Sequence, residues 1–283
     1  MQTHEPDQDE FLYDGQHLTV LRGQHAGNFY PAHAFFLAQR FAFAPGSSVL
    51  KDEQGFPMVG FVHTPRGEEH RHDALMLQIE WVIIRILRGL IVRAIRATKE
   101  PIRIVLTGFG PFEDQRGHAV PNNVTDEFVS SPSRLRGLLR GALPDISAPN
   151  QPKFIWPEPF GQDDVVVGSH VYDPHYRLGR PITLFGRTLP VDTHALSEER
   201  EAGLPGLLSA VSPHIYIGLG VRRRGAPEFV VEEVSDNSGL TLNPSPHHSK
   251  DTSPTEGHPL NRAAARAFAQ GLQELGGYRY GDG

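Results

Sequence analysis

The chain has 283 residues, room for one large domain or two small ones at about 100–200 residues each, and a chain of this length can bury a full core without covalent staples. Lys plus Arg number 27 against 33 Asp plus Glu, a formal charge of −6, which excludes a generally cationic nucleic-acid binder because phosphate neutralisation needs clustered positive charge. Cysteine is absent, which removes disulfides, thiolate–zinc sites and any cysteine nucleophile.

Residues 1–16 are polar and acidic and are expected to form a mobile lead-in. They show no basic region followed by an apolar run, so a cytoplasmic protein is expected. A short strand follows from His17 to Arg22, and a helix fits Tyr30 to Phe43, where Pro45-Gly46 stops it. Met58 to His63 reads as a buried strand. Ala74 to Ala97 is the longest apolar stretch, but Glu80, Arg85, Arg88, Arg93 and Arg96 interrupt it. That charge load is wrong for a bilayer span and right for a core helix with a basic outer stripe, so no membrane partner is expected.

Residues 98–101 form a compact linker, and Ile102 to Leu106 has the continuous apolar character of an interior parallel strand. Asp126 to Leu143 reads as one helix. From about residue 144 to 180 the chain is rich in Pro, Gly, Asp and aromatics, including Trp156, Tyr172 and Tyr176, and reads as an insertion suited to a lid or an oligomer arm. A strand near 183–190, a helix at Leu196–Val211, strands at His214–Leu219 and Phe229–Val234, and an Ala-rich helix at Leu260–Leu275 complete the pattern. Helices and strands alternate without internal repeats. The fold class expected is α/β, a three-layer sandwich around a mainly parallel twisted sheet, in a single domain spanning 1–283.

The glycine pairs Gly108/Gly110 and Gly218/Gly220 lack the third glycine and the following helix of a dinucleotide fingerprint, so plain strand-to-loop turns are expected and no cofactor is called for. Glu68 to Asp73, with His70 and His72, has metal-ligand residue types, yet a solvated helix start explains the same residues, and no metal is assigned. Arg222-Arg223-Arg224 would suit an anionic group, the one hint of a phosphorylase-like site. TGFGPF, Thr107 to Phe112, puts two phenylalanines on a tight loop directly after a buried strand, where they suit either a clamp on a flat apolar group or local packing.

That segment resembles the TGFxPF signature of the pyroglutamyl peptidase I (pyrrolidone-carboxylate peptidase) family. Gly186 to Val191 (GRTLPV) resembles the family's GRxLPV stretch, and His214 to Asn237 resembles its glycine-containing strand and the strand with the catalytic glutamate. Upstream, Ala26 to His33 (AGNFYPAH) resembles the AGxxxCNH nucleophile segment, and Gly60 to Pro65 (GFVHTP) resembles GFIHxP. The order of these segments is the family order cut at another point, so the resemblance implies a circularly permuted, phosphorylase/hydrolase-like fold. Residues 17–97 would match the family's C-terminal part and 102–283 its N-terminal part, with 98–101 as the join. Joining old ends and opening new ones is physically reasonable because domain termini lie at the surface and often near each other.

The resemblance implies His63 and Glu232 as the acid/base pair. It implies Thr107, Gly108, Phe109, Phe112 and Asn122 on the substrate side, with Tyr30 and His33 flanking the nucleophile position. That position is Pro31, which has neither a nucleophile nor a backbone N–H. A cysteine-peptidase mechanism is therefore excluded. Two readings lead, beside the phosphorylase-like one: an enzyme using the His–Glu pair for acid/base chemistry (amide or lactam hydrolysis, cyclisation or isomerisation) on a small, cyclic or open amino-acid-derived substrate, or a catalytically silent relative that binds a ligand or a protein. A small-molecule substrate or ligand and a homo-oligomer are the partners these readings allow.

Overall fold

The computed structural model describes residues 8–13, 16–23, 30–52, 55–66, 72–113, 119–120, 123–143, 164–173, 178–191, 203–222 and 228–232. Strands β1 (Gln8–Tyr13) and β2 (Gln16–Gly23) form an antiparallel hairpin that pairs Tyr13 with Gln16. Helix α1 (Tyr30–Phe43), strand β3 (Val59–Thr64) and the long helix α2 (His72–Ala97) follow. Next come β4 (Ile102–Phe109), the two-residue strands β5 (Phe112–Glu113) and β6 (Ala119–Val120), and helices α3 (Val124–Val129) and α4 (Pro132–Ala142). The chain continues through β7 (Asp164–Asp173), β8 (Leu178–Leu189), α5 (Leu204–Val211), β9 (Ile215–Val221) and β10 (Phe229–Glu232).

Among the described residues eight strands join one mixed sheet in the order β1-β2-β10-β3-β9-β4-β8-β7. The central run β3, β9, β4 and β8 is parallel throughout, and β2 is parallel to β10. Strand β10 lies antiparallel to β3, and the two outer strands β1 and β7 are antiparallel to their neighbours. Because successive side chains alternate across a strand, Ile102, Ile104 and Leu106 of β4 face one layer with Ile215, Ile217 and Leu219 of β9. That layer is closed by α2, α3 and α4 through residues such as Ile79, Ile83, Leu90, Phe128 and Leu135. Val105 and Phe109 of β4, Tyr216 of β9 and Phe61 of β3 face the opposite layer, closed by α1 and α5 through Phe35, Ala38, Leu204 and Leu208. Helices thus cover both faces of the sheet, an α/β architecture. Among the described residues no helix is long and apolar enough to cross a membrane.

Several elements differ from the sequence expectation, each for a local reason. Residues 8–13 of the supposed lead-in are a sheet strand; Asp14-Gly15 between β1 and β2 is a residue pair that favours tight hairpin connections. The helix expected over 126–143 is two helices. Asn123 caps α3, its Oδ1 accepting from the Thr125 N–H, and Ser131 caps α4 directly before Pro132. Proline cannot donate to the preceding turn and disfavours a helical residue before it, so the break falls there. Part of the supposed insertion, 164–173 and 178–180, is β7 and the start of β8. Their pairing sets Asp164 opposite Arg187, and the guanidinium donates to both carboxylate oxygens at 2.5 and 2.6 Å. Residues 196–202 and the helix expected at 260–275 lie outside the described residues.

Residues 98–101, between α2 and β4, sit on a buried polar knot. His214, at the entrance of β9, donates its backbone N–H to the Arg103 carbonyl at 2.8 Å, and its Nδ1 accepts from the Arg103 N–H at 3.2 Å. The Arg103 Nε donates to the carbonyl of Ser212, whose left-handed backbone (φ 49°) ends α5. Arg180, buried, donates to the carbonyls of Ile95 and Thr98 and so caps the last turn of α2. Burial holds the His214 imidazole below its ordinary 6.5; the Arg103 charge adds to this and Glu100 partly opposes it. A depressed folded value means the unfolded chain takes up this proton first, so the stability His214 allows above about pH 6.5 is lost as the pH falls below it. The Tm should therefore drop between about pH 7.5 and pH 5.5, and His214→Asn should flatten that drop in a pH series of thermal melts.

Two strand glycines let helices approach the sheet. A Cβ on Gly108 would meet the Thr125 carbonyl of α3, and one on Gly186 would meet the Val129 carbonyl and, at 2.5 Å, Leu135 Cδ1. Overpacking against backbone has no cheap relief. Gly108→Ala should cost about 1–3 kcal/mol or more, read as a lower Tm or denaturant midpoint.

Candidate active site

Residues distant in sequence meet where the parallel strands end. Pairing of β3 with β9 sets His63 opposite Gly220 and Phe61 opposite Gly218, while β4 sets Thr107 opposite Gly218 on the other side. Phe109, two residues beyond Thr107, therefore stands at the level of His63, two strand spacings or about 10 Å away in backbone terms. Strand β10 supplies the third group. Val230 pairs with His63 and Val231 with Val62, so Glu232 falls on the same face as His63, diagonally across the ladder.

The His63 Nδ1 lies 2.8 Å from the Glu232 Oε1, between side chains that are 14% and 5% exposed. A carboxylate only accepts, so Nδ1 is the donor, which in a neutral imidazole leaves the lone pair on Nε2. Among the described residues the second oxygen, Oε2, is buried without a partner. The imidazole is held from below by Phe61, whose ring meets it edge-on with centroids 5.0 Å apart. Phe61 in turn packs against Phe35 of α1 at 5.7 Å.

Helix α1 runs against the direction of β3 and β9. The segment after its C-terminus is tied to the amino edge of the sheet: Ser48 Oγ donates to the Pro213 carbonyl and the Leu50 N–H to the His214 carbonyl. At about 1.5 Å per residue its 14 residues span the strands. Tyr30, Pro31 and His33 lie in its first turn. The side chains of these three residues lie outside the described set, as does Asn122.

The residues expected on the substrate side separate. Thr107 is buried and shares a 2.8 Å hydrogen bond with the Tyr216 hydroxyl, a layer beneath the edge. Burial pushes the Tyr216 phenol above its ordinary range, with the Thr107 bond partly opposing. Gly108 faces the other layer, against Thr125. Phe109 is only 2% exposed and belongs to the α1/α5 core. Strand β4 runs three residues further than expected because Phe109 pairs with Leu189 and its N–H donates to Thr125 Oγ1 at 3.0 Å. Asn123 locks the same corner, its side-chain amide donating to the Gly110 carbonyl. Phe112, half-buried, starts the short β5–β6 pair.

Of the other charged motifs, Arg222 and His72 have partners, while residues 68–71 lie outside the described residues. Arg222 pairs with Glu228 at 3.0 Å, and its neighbours Arg223 and Arg224 lie outside the described residues. His72 pairs with Glu127 at 2.7 Å on an exposed face, and no group of three metal-ligating side chains occurs among the described residues. Sequence reasoning did not single out Phe61 or Tyr216. The available signal was strand alternation, which puts Phe61 two residues before His63 and on its face.

No protein-family model matches the chain, and neither a curated protein nor a solved structure does.

The burial of Phe109 has a direct consequence. Phe109→Ala should cost about 3–5 kcal/mol of folding stability, measured by chemical denaturation, rather than act as a silent change in an open pocket wall.

Proposed function

We propose that this chain is a divergent pyroglutamyl-peptidase-like enzyme, circularly permuted with residues 98–101 as the join, that works without a covalent nucleophile. The observation that carries this reading is the 2.8 Å contact between His63 and Glu232, two residues 169 apart in sequence. A pure scaffold has no need of a half-buried imidazole held by a buried carboxylate at a strand edge, where open α/β sheets bind ligands. Pro31 suits the first turn of a helix because its missing N–H would be unpaired there anyway.

In this mechanism Glu232 holds the His63 ring in one tautomer and orientation, and Nε2 acts as general base. It takes a proton from water, whose oxygen adds to the carbonyl carbon of a small amide or lactam derived from an amino acid. The proton then passes from Nε2 to the departing nitrogen as the C–N bond breaks. The same proton relay run backwards is a cyclisation, and run on a carbon acid it is an isomerisation.

The test is turnover of a panel of small pyroglutamyl, prolyl and glutaminyl amides and lactams, followed by mass spectrometry. His63→Gln and Glu232→Gln serve as comparisons. Loss of general-base action should lower kcat about 10²–10⁴-fold in His63→Gln. Equal activity of parent and His63→Gln would overturn the reading. The burial of Phe109 favours one alternative, a catalytically silent ligand- or protein-binding relative. Its signature is a ligand-dependent rise in Tm with no product formed.

A further inference from the structure

The ring of His63 is not held by Glu232 alone. Strand β9 carries no side chain at position 218, and the space a Cβ would take there is already filled from two sides. Phe61 Cδ2 and Cε2 lie 2.6 and 2.8 Å from the position a Cβ on Gly218 would occupy, and the Tyr216 hydroxyl lies 3.1 Å from it. The Tyr216 hydroxyl cannot give way without breaking its 2.8 Å bond to Thr107, both groups being buried. Phe61 is fully buried and backed by Phe35. Its face toward the sheet edge carries the His63 imidazole at 75° and 5.0 Å.

We infer that Gly218 is a positioning residue for His63: its bare backbone lets the Phe61 ring settle onto β9, and the settled ring sets the tilt at which His63 Nδ1 meets Glu232. The inference rests on the His63–Glu232 reading above. A methyl group at 218 has one direction in which to push, because the Tyr216 side is pinned. It lifts Phe61 away from β9 and toward the imidazole and α1. The edge contact then moves, and with it the line from Nδ1 to Oε1. Contacts this close are not absorbed by small shifts when the neighbour is a packed ring.

The readout is the Nδ1–H proton of His63, observed by NMR on protein with ¹⁵N-labelled histidine and assigned by its disappearance in His63→Gln. The parent should show a protected low-field resonance that Glu232→Gln shifts upfield or abolishes. Gly218→Ala should shift it upfield or abolish it in the same way, and Phe61→Leu, which removes the ring itself, should do likewise. A core change elsewhere in that layer, Val105→Ala, should lower the Tm and leave the resonance in place. If Gly218→Ala fails to fold, Phe61→Leu alone carries the decision. An unchanged resonance in folded Gly218→Ala or Phe61→Leu, with only the Tm reduced, would make the stack a matter of packing and overturn the inference. A parent resonance indifferent to Glu232→Gln would instead remove the His63–Glu232 pair, and with it the functional reading on which the inference rests.

Discussion

The parallel pairing of β9 with β3 on one side and β4 on the other is the constraint from which the rest of the carboxyl edge follows. It brings residues 61, 107 and 218 into one row although the chain separates them by long intervals. A one-residue slip in either register would turn His63 or Phe109 to the opposite layer, because strand side chains alternate with a period of two. Two buried faces forbid that slip. Val59 and Phe61 fit the α1/α5 layer and Val62 the α2 layer, and each would meet the wrong partners after a shift.

Strand β10 adds the feature that gives the edge its chemistry. It enters between β2 and β3 and runs against β3, which is how a carboxylate from late in the chain reaches a histidine from its first quarter. Had β10 been parallel to β3, the two strands would leave the sheet together and Glu232 would share the local row with a different residue of β3. The antiparallel placement makes Glu232 the diagonal neighbour of His63, within side-chain reach. Glycine at 218, between the β3 and β4 side chains, leaves room for the aromatic ring that supports the imidazole.

Much of the framework was legible in the sequence because the signals were local. The apolar run 74–97 became α2, starting two residues earlier, and α1 has the bounds its Ala/Phe/Leu pattern and the Pro45-Gly46 stop implied. Strands β3, β4 and β9 were visible as apolar runs, as buried parallel strands are. Less legible were the elements that owe their state to pairing. Gln8–Tyr13 is polar enough to read as a tail and becomes a strand through β2, and the Val165–Val167 run becomes an outer strand through β8. The break between α3 and α4 was written locally in Ser131-Pro132, yet the apolar periodicity on both sides concealed it.

The candidate site divides along the same line. Residue chemistry alone set the limits: no cysteine, a histidine at the end of an apolar strand and a carboxylate at the end of another. Whether those last two meet depends on strand order and direction, which are long-range and leave no mark in either segment by itself. Phe109 shows the converse. Its neighbours Gly110 and Pro111 mark a turn, but a side-chain acceptor on α3 and a partner on β8 extend the strand through it and draw the ring into the core. The sequence by itself determined which chemistries were available. Only the tertiary structure decided which of those groups share an edge, because sheet register is a property of pairs of strands and not of any one of them.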